Sequence, residues 1–275
     1  MSRNVSGKGG SRKGGFGRSG TGPGGTGPGG TGAGRGGSGS AANPSRGGGR
    51  LKTVRVRTAK GRKASSQRWL ARQLNDPYVA EAHRLGLRSR AAFKIIQLDD
   101  RFGIFRRGAR VVDLGAAPGG WTQVAVERVG ALENTGLVVG LDMLEMEPVA
   151  GAEILLANIH ETESVERLRH LLNGSADVVL SDMAAPTTGH ASTDHLRTVA
   201  LCELALDFAL LVLAPGGTFV AKVFKGGAEG GLLGELKRNF TSVRHAKPEA
   251  SRAESAETYV VAMGYKGHLP DPEAD

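Results

Sequence analysis

The chain has 275 residues, with 36 Lys and Arg against 27 Asp and Glu, and a formal charge of +9. The positive excess lies entirely in residues 1–75, which hold 16 basic residues and no acid, whereas residues 76–275 carry a net charge of −7. A single cysteine, Cys202, excludes an internal disulfide, and without a CxxC pair a thiolate zinc module is disfavoured.

The sequence also argues against export and membrane insertion. No apolar run follows the basic N-terminus, as one would in a secretory signal. The longest apolar stretch, residues 198–214, contains Glu203 and Asp207, which a membrane span rarely tolerates. We therefore expect a soluble cytoplasmic protein in a reducing compartment.

The first part of the chain is predicted to be a disordered tail. Residues 1–50 contain 21 of the 43 glycines, repeat the phrase TGPGG and have few apolar side chains to bury. A dense run of basic residues follows from Leu51 to Arg72. This run is either a solubilising leader or an arm that binds phosphates, and both interpretations predict an exposed, mobile segment. We place the tail at residues 1–62 and the folded domain at residues 63–275.

After Pro77, helices and strands alternate. Ser89 is predicted to cap a helix over residues 91–102, with Phe93 and Ile96 on its inner face. Predicted strands, continuous and β-branched as in sheets covered on both faces, are ARVVDLG, TGLVVGLD, AEILLANI, ADVVLSDM, GGTFVAKVF and TYVVAMGY. Predicted helices between them are GGWTQVAVERV, ETESVERLRHLLN, TDHLRTVALCELALDFALLVL and LLGELKRNF. The alternation predicts an α/β domain with a parallel, doubly wound sheet.

The turn after the first predicted strand has the features of a ligand-binding loop. In VVDLGAAPGGW, Gly115, Gly119 and Gly120 permit a tight turn into a helix whose N-terminal N–H groups can bind a ligand. The second strand ends at Asp142, 27 residues after Gly115, where a carboxylate can accept hydrogen bonds from a ribose diol. Together they indicate a cofactor that contains adenosine, although a tight turn without a ligand is the alternative. Pro118 and the departure from GxGxxG disfavour nicotinamide and flavin cofactors.

Two charged residues are predicted at the same edge of the sheet. Asp182 ends the fourth predicted strand, and Lys222 lies near the end of the fifth. Because the carboxyl ends of parallel strands meet at one edge, both side chains should face the cofactor pocket. Taken singly, the acid could cap a loop and the lysine could extend to water.

Five motifs in order make residues 66–265 resemble the FtsJ-type 2′-O-ribose methyltransferases of bacterial large-subunit ribosomal RNA. The motifs are GLRSRAAFK, VVDLGAAPGGW, SDMA, LAPGGTFVAKVF and SRAESAETYVVA. The resemblance implies a Rossmann-like class I fold that uses S-adenosylmethionine, with a mostly parallel seven-stranded sheet, an antiparallel last strand and helices on both faces. In a reversed last strand, Glu257 would lie at the carboxyl edge of the parallel strands.

The resemblance implies which residues perform the chemistry. The family's Lys-Asp-Lys-Glu tetrad corresponds to Lys94, Asp182, Lys222 and Glu257. We expect Lys222 to hold or remove the proton of a ribose 2′-hydroxyl and Asp182 to orient that lysine. Lys94 and Glu257 would place the nucleotide.

The resemblance also implies a cofactor site near the glycine loop. The methionine end would lie near Gly115, Gly119 and Trp121, although Trp121 could merely pack beneath the turn. Asp142 would bind the ribose hydroxyls, and adenine would lie beside Asn158, where the family more often has Asp. The implied cofactor-binding residues are Gly115, Gly119, Trp121, Asp142, Asn158 and Asp182.

The implied reaction is methylation of a uridine ribose in the A loop of the peptidyl transferase centre of 23S ribosomal RNA, during large-subunit maturation. The enzyme would act as a monomer on 23S RNA within the large subunit, without a metal. His190 and His195 would face solvent or RNA. A cationic rim that holds phosphates is predicted from Arg84, Arg88, Arg90, Lys94, Lys237, Arg238 and Lys247.

Two alternatives stay open. One is another enzyme with an adenosine cofactor, such as a dehydrogenase, which Pro118 disfavours. The other is an RNA-binding assembly factor that retains the fold without catalysis, which the competent side chains at all tetrad positions disfavour.

Overall fold

The computed structural model describes residues 63–224 and 230–267, so the predicted tail, residues 1–62, lies outside the described residues. The helices are α1 (Ala64–Leu74), α2 (Pro77–Arg84), α3 (Ala92–Phe102), α4 (Gly120–Val129), α5 (Thr162–Leu172), α6 (Ala191–Val212) and α7 (Gly230–Asn239). The strands are β1 (Arg110–Leu114), β2 (Leu137–Asp142), β3 (Glu153–Leu156), β4 (Ala176–Ser181), β5 (Leu213–Phe224), β6 (Phe240–Ala246) and β7 (Glu257–Tyr265). A short 3-10 helix, Ala131–Glu133, follows α4.

The strands of the described residues form one seven-stranded sheet in the order β3-β2-β1-β4-β5-β7-β6. Strands β1 to β5 pair in parallel, and β7 is antiparallel to both of its neighbours. This architecture confirms the predicted fold class. Strands β2 and β3 lie on one side of β1, and β4 and β5 lie on the other. The strand order therefore reverses between β1 and β4, and in open α/β sheets ligands bind at the carboxyl ends of the strands beside such a reversal. Because β7 is reversed, its first residue, Glu257, lies opposite Phe224 at the end of β5.

Helices cover both faces of the sheet, as predicted. Helices α5, α6 and α7 contribute to the apolar cluster on one face, and α2, α3 and α4 to the cluster on the other. Val111 and Val112 are consecutive in β1, yet each is fully buried, one in each cluster. Burial on both faces explains the continuous apolar strands of the sequence. No helix in the described part of the chain is long and apolar enough to cross a membrane.

The strand β6 was not predicted from the sequence. The predicted helix at LLGELKRNF ends one residue early, at Asn239, and Phe240 begins a strand. Only Phe240 and Ala246 are buried within FTSVRHA. Because β6 is an edge strand with its other residues at least partly exposed, it lacks the apolar run that marks the inner strands.

Two predictions near the start of the domain are also wrong. The mobile arm was expected to reach Arg72, but Ala64–Leu74 forms α1, a segment without Gly or Pro that favours helix. Ser89 does not cap α3. The N-cap position is Ala91, and the main-chain oxygen of Ser89 instead accepts from Ala92 N in the preceding turn. The buried Oγ of Ser89 has no hydrogen-bond partner in the described part of the chain.

Candidate active site

The loop after β1 requires glycine at its first turn. Gly115 has a φ of +78°, and a Cβ there would lie 2.9 Å from Cγ of Met183 and 3.0 Å from its main chain. Gly119 has a φ of +103° and precedes α4, and no side chain of residues 63–224 or 230–267 caps the N-terminus of this helix. An N-terminus of this kind presents main-chain N–H groups and a partial positive charge to a ligand.

Two polar residues lie at or just after the carboxyl ends of β2 and β3, which are the next strands in the sheet after β1. The carboxylate of Asp142, at the end of β2, accepts hydrogen bonds from Ala117 N at 2.9 Å and Leu144 N at 2.8 Å. Each carboxylate oxygen keeps further acceptor capacity, which suits the two hydroxyls of a diol. Asn158 follows β3, and its Oδ1 accepts from His160 N at 3.1 Å. The structure therefore fixes Asp142 against the glycine loop.

Trp121 connects the glycine loop to α3. It is 3% exposed, and its indole N–H donates to the main-chain oxygen of Ala91 at 2.8 Å. Its ring centroid lies 5.5 Å from that of Tyr259. Because the indole has a single donor, a cofactor contact by Trp121 would involve its ring or its main chain. The residue packs beneath the loop, as the alternative interpretation expected, and its cofactor contact stays a prediction.

The structure brings the four predicted tetrad side chains together at the carboxyl edge of the sheet. Lys94 Nζ lies 2.9 Å from both Oε1 and Oε2 of Glu257, and 4.0 Å from Oδ2 of Asp182. Lys222 Nζ lies 3.1 Å from Oδ1 of Asp182 and donates to its main-chain oxygen at 2.7 Å. Both lysines are 8% exposed. Each buried cation is therefore paired with a carboxylate, as burial of charge requires.

Tyr259 joins the two ion pairs, and sequence reasoning missed it. This fully buried residue accepts a hydrogen bond from Lys94 Nζ at 3.0 Å and donates to Oδ1 of Asp182 at 2.9 Å. In the sheet it lies opposite Lys222 and two residues after Glu257. Side chains at these positions share one face, since strand side chains alternate. This spacing in ETY was the one local signal, and it places Tyr259 on the face of Glu257 without showing which groups its hydroxyl contacts.

Burial and charge keep Tyr259 protonated and Glu257 ionised. Burial, followed by the negative charges of Asp182 and Glu257, raises the pKa of Tyr259 well above its usual value. Burial alone would raise the pKa of Glu257, but the Lys94 charge and hydrogen bonds from Lys94 and Ser251 outweigh it, so the net shift is downward. Tyr259 can therefore donate to Asp182 while Glu257 pairs with Lys94.

A buried acid lies directly before the glycine loop. Asp113 of β1 is fully buried, and its Oδ2 accepts from Thr122 Oγ1 at 2.7 Å, while its Oδ1 has no hydrogen-bond partner among the described residues. Burial raises the pKa of Asp113 to about 7; the Thr122 hydrogen bond lowers it, and the charges of Asp182 and Asp142 raise it further. Near neutral pH this carboxyl group is poised to exchange a proton.

We expect Asp113→Asn to weaken the pH dependence of folding stability. The folded acid keeps its proton up to about pH 7, whereas the unfolded acid loses it near 3.8, so the wild type loses stability as the pH rises between these values. Between pH 5 and 8 this group should lower the free energy of unfolding by about 3 kcal/mol. Urea unfolding at both pH values measures the difference, with Glu145→Gln, at an exposed position, as control. If the pH dependence of stability were the same in Asp113→Asn and the wild type, the raised pKa of Asp113 in the folded protein would be contradicted.

Several residues of the predicted cationic rim are bound within the protein. The Arg88 guanidinium donates to the main-chain oxygens of Pro118 at 3.1 Å, Pro148 at 2.5 Å and Glu147. It therefore clamps the glycine loop against the segment after β2. A Cβ on Gly119 would meet Arg88 at 3.0 Å. Arg88 therefore shapes the loop, and its expected contact with phosphates stays a prediction.

The other rim residues divide into bound and exposed groups. Arg90 lies 2.9 Å from Asp76 and packs over the ring of Tyr78, and Lys94 belongs to the charged cluster. Lys247 also makes main-chain hydrogen bonds. The exposed residues of the rim are Arg84, Lys237, Arg238 and Lys247, and of these Arg84 is paired with Glu81. The predicted rim is thus much less continuous than expected.

The histidines of the predicted polar loop lie at the start of α6. His190 is exposed and precedes the helix, and His195 lies within it, partly buried. Among residues 63–224 and 230–267, no group of three or more His, Cys, Asp and Glu side chains is arranged to hold a metal ion.

Comparison with known proteins identifies the family. The FtsJ-like methyltransferase family matches residues 87–265. The chain is 67% identical over 223 residues to Ribosomal RNA large subunit methyltransferase E of Paramagnetospirillum magneticum, covering 80% of this chain and 91% of the relative. The protein of the same name from Azorhizobium caulinodans is 58% identical over 78% of this chain and 89% of its own.

A solved structure agrees with this assignment. A Plasmodium falciparum protein described as a ribosomal RNA methyltransferase has a TM-score of 0.58 and 30% identity, over 66% of this chain and 99% of that one. The resemblance inferred from the five motifs is confirmed. On its motifs, its sheet and its relatives, the chain belongs to the FtsJ-like methyltransferase family.

Proposed function

We propose that the protein transfers a methyl group from S-adenosylmethionine to the 2′-oxygen of a uridine in 23S ribosomal RNA, in the A loop of the peptidyl transferase centre. The observation that carries this proposal is the convergence of Lys94, Asp182, Lys222 and Glu257 beside the glycine loop. The names of the relatives, which are ribosomal RNA large subunit methyltransferases, support the substrate class.

The residues around the glycine loop fit S-adenosylmethionine. The uncapped N-terminus of α4 and the bare main chain at Gly115 and Gly119 suit the methionine end. Asp142 would hold the ribose diol, and Asn158 would lie beside adenine. Asp182, at the end of the neighbouring strand, would lie beside the transferred group. When bound, the cofactor supplies a methyl group on positively charged sulfur, which is already a good electrophile.

The protein's task is then to align and deprotonate the 2′-hydroxyl. Lys222, as the neutral amine, is the proposed base that takes its proton and becomes an ammonium. Asp182 orients that amine through contacts at 2.7 and 3.1 Å, and its carboxylate pairs with the ammonium that forms. Lys94 and Glu257, fixed to each other at 2.9 Å, would hold the nucleotide in line. Burial of both lysines excludes water and strengthens these interactions.

The proposed setting is large-subunit maturation in the cytoplasm, with a monomeric enzyme acting on 23S RNA inside the subunit. Residues 1–75 carry 16 basic residues without an acid, which supports a role in neutralising phosphates. The described residues 76–224 and 230–267 are not basic overall, so the tail would supply most of the electrostatic attraction. Binding that depends on such contacts weakens steeply as salt rises.

A methyl-transfer assay tests the proposal. Ribosomal particles from a strain that lacks the protein are incubated with the purified full chain and cofactor labelled with tritium in the methyl group. We expect label on one ribose of 23S RNA, mapped by nuclease digestion and resistance of that linkage to alkali. Label on a base or on protein would contradict the ribose assignment, and label on a ribose elsewhere would contradict the A loop.

A further inference from the structure

A loop between β6 and β7 brings a serine hydroxyl into the charged cluster. Ser251 is 5% exposed, and its Oγ donates to Oε1 of Glu257 at 2.7 Å. Ser251 begins the motif SRAESAETYVVA, in which the sequence pointed only to Glu257. The hydroxyl reaches the carboxylate without adding a charge, which sets it apart from Lys94.

The loop is fixed on both sides of this serine. Before it, Ala250 N donates to Oε1 of Gln97 on α3 at 2.8 Å. After it, Lys247 Nζ spans the loop and donates to the main-chain oxygens of Ala253 at 3.0 Å and Ser255 at 2.6 Å. The hydroxyl is therefore held in place before any nucleotide binds, as a group that orients another must be.

The hydroxyl restricts how the carboxylate of Glu257 can rotate. With Oε1 bound by Ser251, the Lys94 ammonium contacts both carboxylate oxygens at 2.9 Å and also reaches Tyr259 OH at 3.0 Å. In this arrangement Lys94 Nζ lies 4.0 Å from Oδ2 of Asp182, beyond hydrogen-bond distance. If Glu257 were free to turn, Lys94 could move onto Asp182 and compete with Lys222 for it.

We propose that Ser251 is a positioning residue of this site, whose hydroxyl orients the Glu257 carboxylate and thereby keeps the Lys94 ammonium between Glu257 and Asp182. The catalytic part of this inference rests on the proposed methylation of ribosomal RNA. The groups that face Glu257 are Lys94 from α3, Lys222 from β5 and Tyr259 from β7, with Asp182 beyond Lys94.

We expect Ser251→Ala to lower kcat about tenfold, the effect of losing one hydrogen bond to a charged group, with the KM for the cofactor unchanged. The matched control is Ser255→Ala in the same loop. The Ser255 hydroxyl accepts from Glu257 N at 3.2 Å and does not reach the carboxylate. Its kcat should stay within about twofold of the wild type, which corresponds to a change of less than about 0.5 kcal/mol in the activation free energy. Equal losses in both variants would overturn the proposal.

The titration of Glu257 distinguishes orientation from a general loss of structure. The hydrogen bond from Ser251 is one of the interactions that lower the pKa of Glu257, so Ser251→Ala should raise that pKa. In Ser255→Ala the pKa of Glu257 should match that of the wild type, because the Ser255 hydroxyl bonds only to the main chain of Glu257. A Glu257 pKa that rises equally in both variants would contradict the proposed role.

A measurement without substrate separates this inference from the proposed function. In the full chain labelled with ¹³C at glutamate carboxyl groups, the Glu257 signal is assigned by its absence in Glu257→Gln, and its titration is compared with and without Ser251→Ala. We expect a shift to higher pH. If the wild type transfers no methyl to ribosomal RNA but this titration shifts, the proposed function fails and the orienting contact stands. An unshifted titration overturns the contact itself.

Discussion

Lys222→Met will reduce single-turnover methyl transfer to ribosomal particles by about a thousandfold, within the range measured for the loss of a general base. The Lys222 side chain is 8% exposed, and its Nζ contacts both the carboxylate and the main-chain oxygen of Asp182. No other basic side chain of the described residues occupies that position, because Lys94 is held by Glu257 on the far side of Asp182. Methionine retains the length of the side chain but cannot accept a proton.

The variant should fold and bind the cofactor. Methionine buries readily and leaves no unpaired cation, and Asp182 keeps its hydrogen bond from Tyr259 at 2.9 Å. Calorimetric titration with the cofactor should give a Kd within about threefold of the wild type, a difference of less than 1 kcal/mol. Lys266→Met is the matched control, since Lys266 is exposed and donates to the main-chain oxygens of Lys237 and Arg238. Normal methylation by Lys222→Met would show that Lys222 is not the base. If the variant restored subunit assembly without methylating RNA, the alternative of an RNA-binding assembly factor would be favoured.

Much of the carboxyl edge could be predicted because parallel strands end together. Apolar, β-branched strands that finish in a polar residue give both the strand and the position of its last side chain. Asp142 and Asp182 were placed in this way, and in the structure Asp142 is the last residue of β2 and Asp182 directly follows β4. Lys222 was placed on β5 by the same reasoning, although β5 begins earlier than expected, at Leu213.

Contacts between distant segments could not be predicted from local patterns. The pairing of Lys94 with Glu257 joins residues 163 positions apart, and only the family resemblance brought them together. Tyr259 looked like an ordinary buried aromatic residue of a strand, because its hydroxyl acquires a role only once Lys222 lies opposite and α3 covers that face. The partners of Arg88 could not be predicted either, because they are main-chain oxygens of two loops that are distant from it in sequence.

Asp182→Asn will lower kcat by about a hundredfold, because it removes the carboxylate that orients the Lys222 amine and pairs with it once it is protonated. Three donors face this carboxylate: Lys222 Nζ at 3.1 Å, Tyr259 OH at 2.9 Å and Lys94 Nζ at 4.0 Å. The asparagine amide has one acceptor and one donor group, so its NH₂ must oppose a donor. The side chain of Asp182 is 19% exposed, and solvent screening should limit the loss of unfolding free energy to about 2 kcal/mol. Chemical denaturation and single-turnover kinetics measure the two effects separately.

The double variant Asp182→Asn, Lys222→Met tests whether the two residues act as one unit. If Asp182 works by orienting Lys222, its loss matters little once the base is gone, and the double variant should be about a thousandfold slower than the wild type, like Lys222→Met alone. Independent roles would instead multiply, giving a loss of about 10⁵-fold. A multiplicative result would assign Asp182 a separate task, such as holding the cofactor. Measuring the cofactor Kd of Asp182→Asn then identifies that task, because only a cofactor contact predicts weaker binding.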